Sequence, residues 1–140
     1  MQLELLKDYA LQLVGLPYRW AGNDTIEGFD CSGLAIELLQ SVGVLPRNYD
    51  NTAQGIYDDF VWATTSRKGL GALAFYGKAL DKISHVGMML DTFQIIEAGG
   101  GNSKTTSTEA AAAQNAYVRM RPFNYRRDIV AIIMPNYDRM

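Results

Sequence analysis

The sequence predicts a single α+β domain, residues 1–140, with N-terminal helices packed on a mostly antiparallel sheet of about five to six strands. Three observations carry this. The 140 residues are the length of one domain, and 48% of them are hydrophobic, enough for one ordinary core. As far as Asp59 apolar residues recur at helical spacing, whereas from Ala72 onward they fall in short runs bounded by Gly, Asp, Asn or Arg. Helices precede strands instead of alternating with them, and no linker or internal repeat divides the chain.

Taken in order, Leu6, Ala10, Leu13 and Val14 follow a 3.6-residue period and predict an opening helix that ends near Gly15 and Pro17. The turn-rich PYRWAGNDTIEGFD leads into a second helix, CSGLAIELLQSVG, with Leu34, Leu38 and Leu39 on one side and Gly43 as its stop. A short helix follows over Thr52 to Asp59, capped by Asn51 or Thr52. The segments ALAFYG, SHVGMML, FQIIEA, AYVRMR and IVAIIMP read as strands. Between them GGGNSKTTSTEAAAAQNA reads as a flexible surface loop leading into a small helical turn, able to act as a mobile lid, with Gly99 to Gly101 as its hinge.

The composition narrows the function. A net charge of −2 and a pI near 5.3 do not recruit nucleic acid or anionic membrane by long-range attraction. With one cysteine and one histidine the chain can form no internal disulfide and no Cys/His zinc cluster, so neither metal nor cofactor is expected. MQLELLKDYALQLVG lacks the basic start and continuous apolar stretch of a secretory signal, and no run approaches the ~20 apolar residues that span a bilayer.

The single cysteine, Cys31, opens the second predicted helix. There the unpaired backbone N–H groups and the positive dipole end favour thiolate over thiol, which suits a nucleophile. A free cysteine is otherwise most often a small buried hydrophobe. Its only candidate base is His85, on a predicted strand, with Glu97 as an orienting third member. If residues 90–92 form a three-residue loop, Met89 opposes Phe93 and His85 opposes Glu97; a two-residue turn at Asp91 and Thr92 sets the pair on opposite faces. The alternative is that Glu97 is a solvated strand-end acid.

Together these residues resemble the NlpC/P60 family of cell-wall cysteine peptidases, which have a papain-like core. The resemblance lies in GLPYRWAG at 15–22, GFDCSGL at 28–34, Leu45-Pro46-Arg47, Gln54 and His85-Val86-Gly87. It implies Cys31 as nucleophile, His85 as general base and acid, Glu97 as the group orienting the imidazole, and Tyr18 as a support for the oxyanion. Asp30, Ser84 and Trp20 are similar to positions facing the substrate peptide. The third residue is commonly histidine in the family, and its Pro-Gly-Asp-Leu is replaced here by Leu70-Gly71-Ala72-Leu73.

The resemblance implies hydrolysis of a peptidoglycan stem peptide, most often at the γ-D-glutamyl bond to a diamino acid. Without a signal or a wall-binding domain, delivery by phage-tail or secretion-system proteins is expected. The rival expectations are an acyltransferase or amidase on the same fold, and a catalytically silent tail or binding module. Arg119, Arg121, Arg126 and Arg127 read as a solvated face and turn rather than a nucleic-acid site, and only one of Met88 and Met89 is expected to face the core.

Overall fold

The computed structural model describes residues 2–24, 28–62 and 66–139. Helix α1 (Gln2–Leu13) buries Leu6, Ala10 and Leu13, as their spacing predicts. Val14 lies one residue past the helix and is exposed, because the period no longer governs it. Gly15, at φ +96°, turns the chain back.

The lead-in then forms a two-residue ribbon, β1 (Asn23–Asp24) with β2 (Gly28–Phe29), and enters α2 (Cys31–Ser41). Asp30 caps this helix: its carboxylate accepts the Gly33 N–H at 2.7 Å. Not only Leu34, Leu38 and Leu39 but also Gly33, Ala35 and Ile36 are buried, since α2 is packed on several sides. Full burial of each leucine contributes roughly 2 kcal/mol. Thr52 caps α3 (Ala53–Phe60) in the same way, accepting from Gly55 N–H at 3.1 Å.

All five predicted strands form: β3 (Leu73–Gly77), β4 (Ile83–Met89), β5 (Gln94–Gly99), β6 (Tyr117–Pro122) and β7 (Ile129–Ile133). They make one antiparallel sheet in the order β6-β5-β4-β3-β7. Strand β4 is central, and α2 packs across it and β5. Met88 and Met89, which point to opposite faces, are both buried, at 1% and 0% exposure, so the sheet is covered on both faces here, contrary to the one-face expectation. The segment after α1 is stitched along β6. Gly15 N–H donates to Val118 O, Val118 N–H to Leu16 O and Tyr18 N–H to Ala116 O, which covers that sheet edge.

The loop expected to act as a lid is tied to the fold at Thr105. Thr105 is fully buried, its hydroxyl bonded to Gln114 and to the Asn102 N–H, and its carbonyl accepts the Trp20 N–H at 2.8 Å. The helical turn beyond it is α4 (Thr108–Gln114), capped by Ser107.

Candidate active site

The site begins where the lead-in crosses the start of α2. Asp30 N–H donates to Gly22 O at 3.0 Å, and a Cβ on Gly33 would stand 2.0 Å from that same oxygen. Only glycine permits this crossing, which leaves Cys31 half-buried in the first turn of the helix. Burial pushes the Asp30 carboxyl up, against the opposing hydrogen bonds from Gly33 N–H and the Ser32 hydroxyl.

His85 stands on β4, 7% exposed, with Nε2 2.6 Å from Glu97 Oε1. Cys31 stands near enough to the same ring to raise the imidazole. With Nε2 taken by Glu97, Nδ1 is the nitrogen left for the thiol. Burial opposes charge on the imidazole, but Cys31 nearby and the hydrogen-bonded Glu97 carboxylate outweigh it, raising His85 from 6.5 to about 9.

The hairpin is of odd length, as the triad requires, yet its loop is one residue later than expected. Met88 opposes Ile96 and Met89 opposes Ile95, and Leu90 N–H still donates to Gln94 O, so the loop is residues 91–93. Asp91 fixes it by accepting the N–H groups of Phe93 and Gln94. Carried on, this register sets Gly99, not Glu97, opposite His85. Glu97 therefore reaches its partner along a diagonal on the same face. The absence of a side chain at Gly99 makes room, since a Cβ there would lie 2.7 Å from Glu97 Oε2.

Glu97 is 1% exposed rather than solvated. Burial alone would raise its carboxyl, but His85, the Tyr125 hydroxyl and Arg121 hold it below the usual carboxylate range. Tyr125 donates to Oε1 at 2.6 Å. Arg121 Nε lies 3.3 Å from Oε2, paired by charge though not aligned for a hydrogen bond.

In front of this pair lies a cleft of about 510 Å³ whose walls include Tyr18, Trp20, Asp30, Cys31, Asn51 and Ser84. Tyr18 is 6% exposed; burial, then the charges of Cys31 and Asp30, push its phenol well up, so it stays a protonated donor. Gly101 lies against its ring, where a Cβ would come within 2.1 Å of Cδ1. The glycines read as a hinge thus permit close approach instead. Trp20 is half exposed at the rim, and the Ser84 carbonyl is 4.0 Å from Cys31 Sγ. Among the described residues no group of three or more His, Cys, Asp or Glu could hold a metal. A thiol at a helix N-terminus, near a charged imidazole and lining a cleft, can attack a carbonyl carbon while the imidazole returns a proton to the departing group.

The fold thus gathers every residue singled out in the sequence: Tyr18, Trp20, Asp30, Cys31 and Ser84 in the cleft, His85 and Glu97 behind it. It also corrects the arginine cluster. Arg121 meets Glu97, Arg119 donates to the carbonyls of Asn115 and Gly99, and Arg126 pairs with Asp128 at 2.7 Å. The signal was present in AYVRMR, whose alternation puts Arg119 and Arg121 on the face that Glu97 shares across β5 and β6. Tyr125 and Gly101 carried no such signal, because each reaches its partner from an irregular segment.

A helix-borne thiol set against a strand-borne imidazole, on an antiparallel sheet preceded by helices, places the domain in the papain-like class. The chain belongs to the NlpC/P60 family, whose model matches residues 15–122. It is 34% identical over 88 residues to the bifunctional muramidase/DL-endopeptidase CwlT of Bacillus subtilis (strain 168), covering 61% of this chain and 26% of that protein. The chain therefore spans about a quarter of the length of that curated relative. Its fold is similar to the NlpC/p60 domain of the peptidoglycan hydrolase SagA (TM-score 0.65, 21% identity, 94% of this chain and 97% of that one). It is equally similar to RipD of Mycobacterium tuberculosis, a non-catalytic NlpC/p60 protein adapted to peptidoglycan binding (TM-score 0.67, 20% identity, 97% and 98%).

Proposed function

We propose that this domain is a cysteine peptidase that hydrolyses amide bonds in peptidoglycan stem peptides, at the γ-D-glutamyl bond to a diamino acid. The observation that carries the reading is the buried His85–Glu97 pair, 2.6 Å apart, with Cys31 at the start of α2 near enough to raise the imidazole. Family membership and the DL-endopeptidase activity named for CwlT support the choice of substrate and bond.

In this reading the Cys31 thiolate forms a C–S bond to the scissile carbonyl carbon. The oxyanion is met by the Tyr18 hydroxyl and the Cys31 N–H. His85 gives its Nδ1 proton to the leaving amine as the C–N bond breaks, then takes a proton from water as that water attacks the thioester. The Cys31 thiolate leaves and the acid product is released. Glu97 keeps the Nε2 proton in place throughout, while Asp30, Ser84 and Trp20 border the substrate.

The test is digestion of purified muropeptides followed by mass spectrometry. The expected products are the two halves of the stem peptide cut after D-glutamate, with turnover falling by a factor on the order of a thousand in Cys31→Ala. A correctly folded wild type that sediments with sacculi yet leaves every muropeptide intact would instead make it a binding module, as RipD is described.

A further inference from the structure

The buried carboxylate of Glu97 is held by more than its partner in the pair. Oε1 accepts both His85 Nε2 and the Tyr125 hydroxyl, each at 2.6 Å, and Oε2 faces Arg121. These groups come from three places, with His85 on β4, Arg121 on β6 and Tyr125 in the turn between β6 and β7. Tyr125 is itself braced. Its N–H donates to Pro122 O, its ring lies 6.1 Å from Tyr76 of β3, and the Arg121 guanidinium covers it at 4.6 Å. Beyond Tyr76 stands Arg126, paired with Asp128.

We propose that Tyr125, with Arg121 beside it, is a positioning residue of the site: it fixes Glu97 as a charged acceptor, so that His85 carries its proton on Nε2 and presents Nδ1 to Cys31. The reasoning is one of proton counting. A buried carboxyl with too few donors takes up a proton and becomes a donor itself. A protonated Glu97 would donate to Nε2, force the neutral ring's own proton onto Nδ1, and leave no lone pair facing the thiol. Tyr125 and Arg121 supply the donors that prevent this. Burial raises the Tyr125 phenol, so the hydroxyl stays a donor throughout the working range.

The inference builds on the catalytic reading above, but its primary readout needs no substrate. His85 is the only histidine, so its ring ¹⁵N and ¹H signals are unambiguous in NMR. In wild type their low-pH inflection reports protonation of Glu97, and its disappearance in Glu97→Gln assigns it. In Tyr125→Phe, which keeps the ring contacts, that inflection moves up by about one pH unit, a tenfold change in proton affinity. Arg121→Gln moves it the same way. The acid limb of muropeptide hydrolysis moves with it while KM is unchanged. An inflection that stays put in both folded variants overturns the proposal, whatever the hydrolysis assay gives. Conversely, a shifted inflection in a protein without turnover would uphold the positioning of the imidazole and discard the peptidase reading.

Discussion

Gly101 shows how much of this site is decided by the absence of an atom. A methyl group at Gly101 would overlap the Tyr18 ring, 2.1 Å from Cδ1, and alanine has no rotamer with which to avoid it. Tyr18 cannot retreat freely, because it is 6% exposed and its N–H is bonded to Ala116 O. Gly101→Ala therefore displaces the phenol that borders Cys31. Denaturant titration is expected to show a loss of about 1–3 kcal/mol from overpacking. The muropeptide assay on the still-folded protein is expected to show a fall in kcat larger than the rise in KM, since the oxyanion donor proposed for Tyr18 acts in the transition state. A variant with normal kcat would detach Tyr18 from the chemistry.

Two helices hold the walls of the cleft by their ends. Asp30 caps α2 and simultaneously lines the cleft, so a change there disturbs the helix and the cleft wall together. Gln54, in the first turn of α3, separates the two more cleanly. Its amide oxygen accepts the Ile83 N–H at 2.7 Å, and its nitrogen donates to Leu80 O at 2.9 Å. One side chain thus ties α3 to the start of β4, just before Ser84 and His85. Gln54→Ala leaves the Ile83 N–H without its partner and is expected to cost about 1–3 kcal/mol in chemical denaturation. Amide hydrogen exchange at Ile83 should quicken in step, and unchanged exchange there would mean the tie is redundant.

At the scale of the whole molecule, stability is linked to the proton on His85. That imidazole rises from 6.5 to about 9 on folding, so its contribution is fully present below pH 6.5 and disappears as pH climbs through 9. Urea midpoints measured from pH 6 to pH 10 should decline across this window in wild type and decline less in His85→Gln, and parallel profiles would refute the linkage. The parity of the His85–Glu97 hairpin was open in the sequence between a three-residue loop and a two-residue turn, but the strands and the Thr52 cap were legible, because each depends on residues close along the chain or on a period of two. The one-residue shift of the loop was not, since it turns on Asp91 gathering two backbone N–H groups. Nor were Tyr125, Gly101 and the anchored loop, whose contacts join segments far apart in the chain. The solvated reading of Glu97 failed for the same reason, as its donors arrive from β6 and beyond. This ordering has a consequence for synthesis. A ribosome releases Cys31 first, then His85 and Glu97, while β6 and Tyr125 emerge later. A nascent chain translated only as far as Gly99 would possess the sulfur, the ring and the carboxylate, yet lack the hydroxyl and guanidinium that keep the carboxylate ionised. Glu97 would meet its full set of donors only once translation had passed the final turn of the sheet.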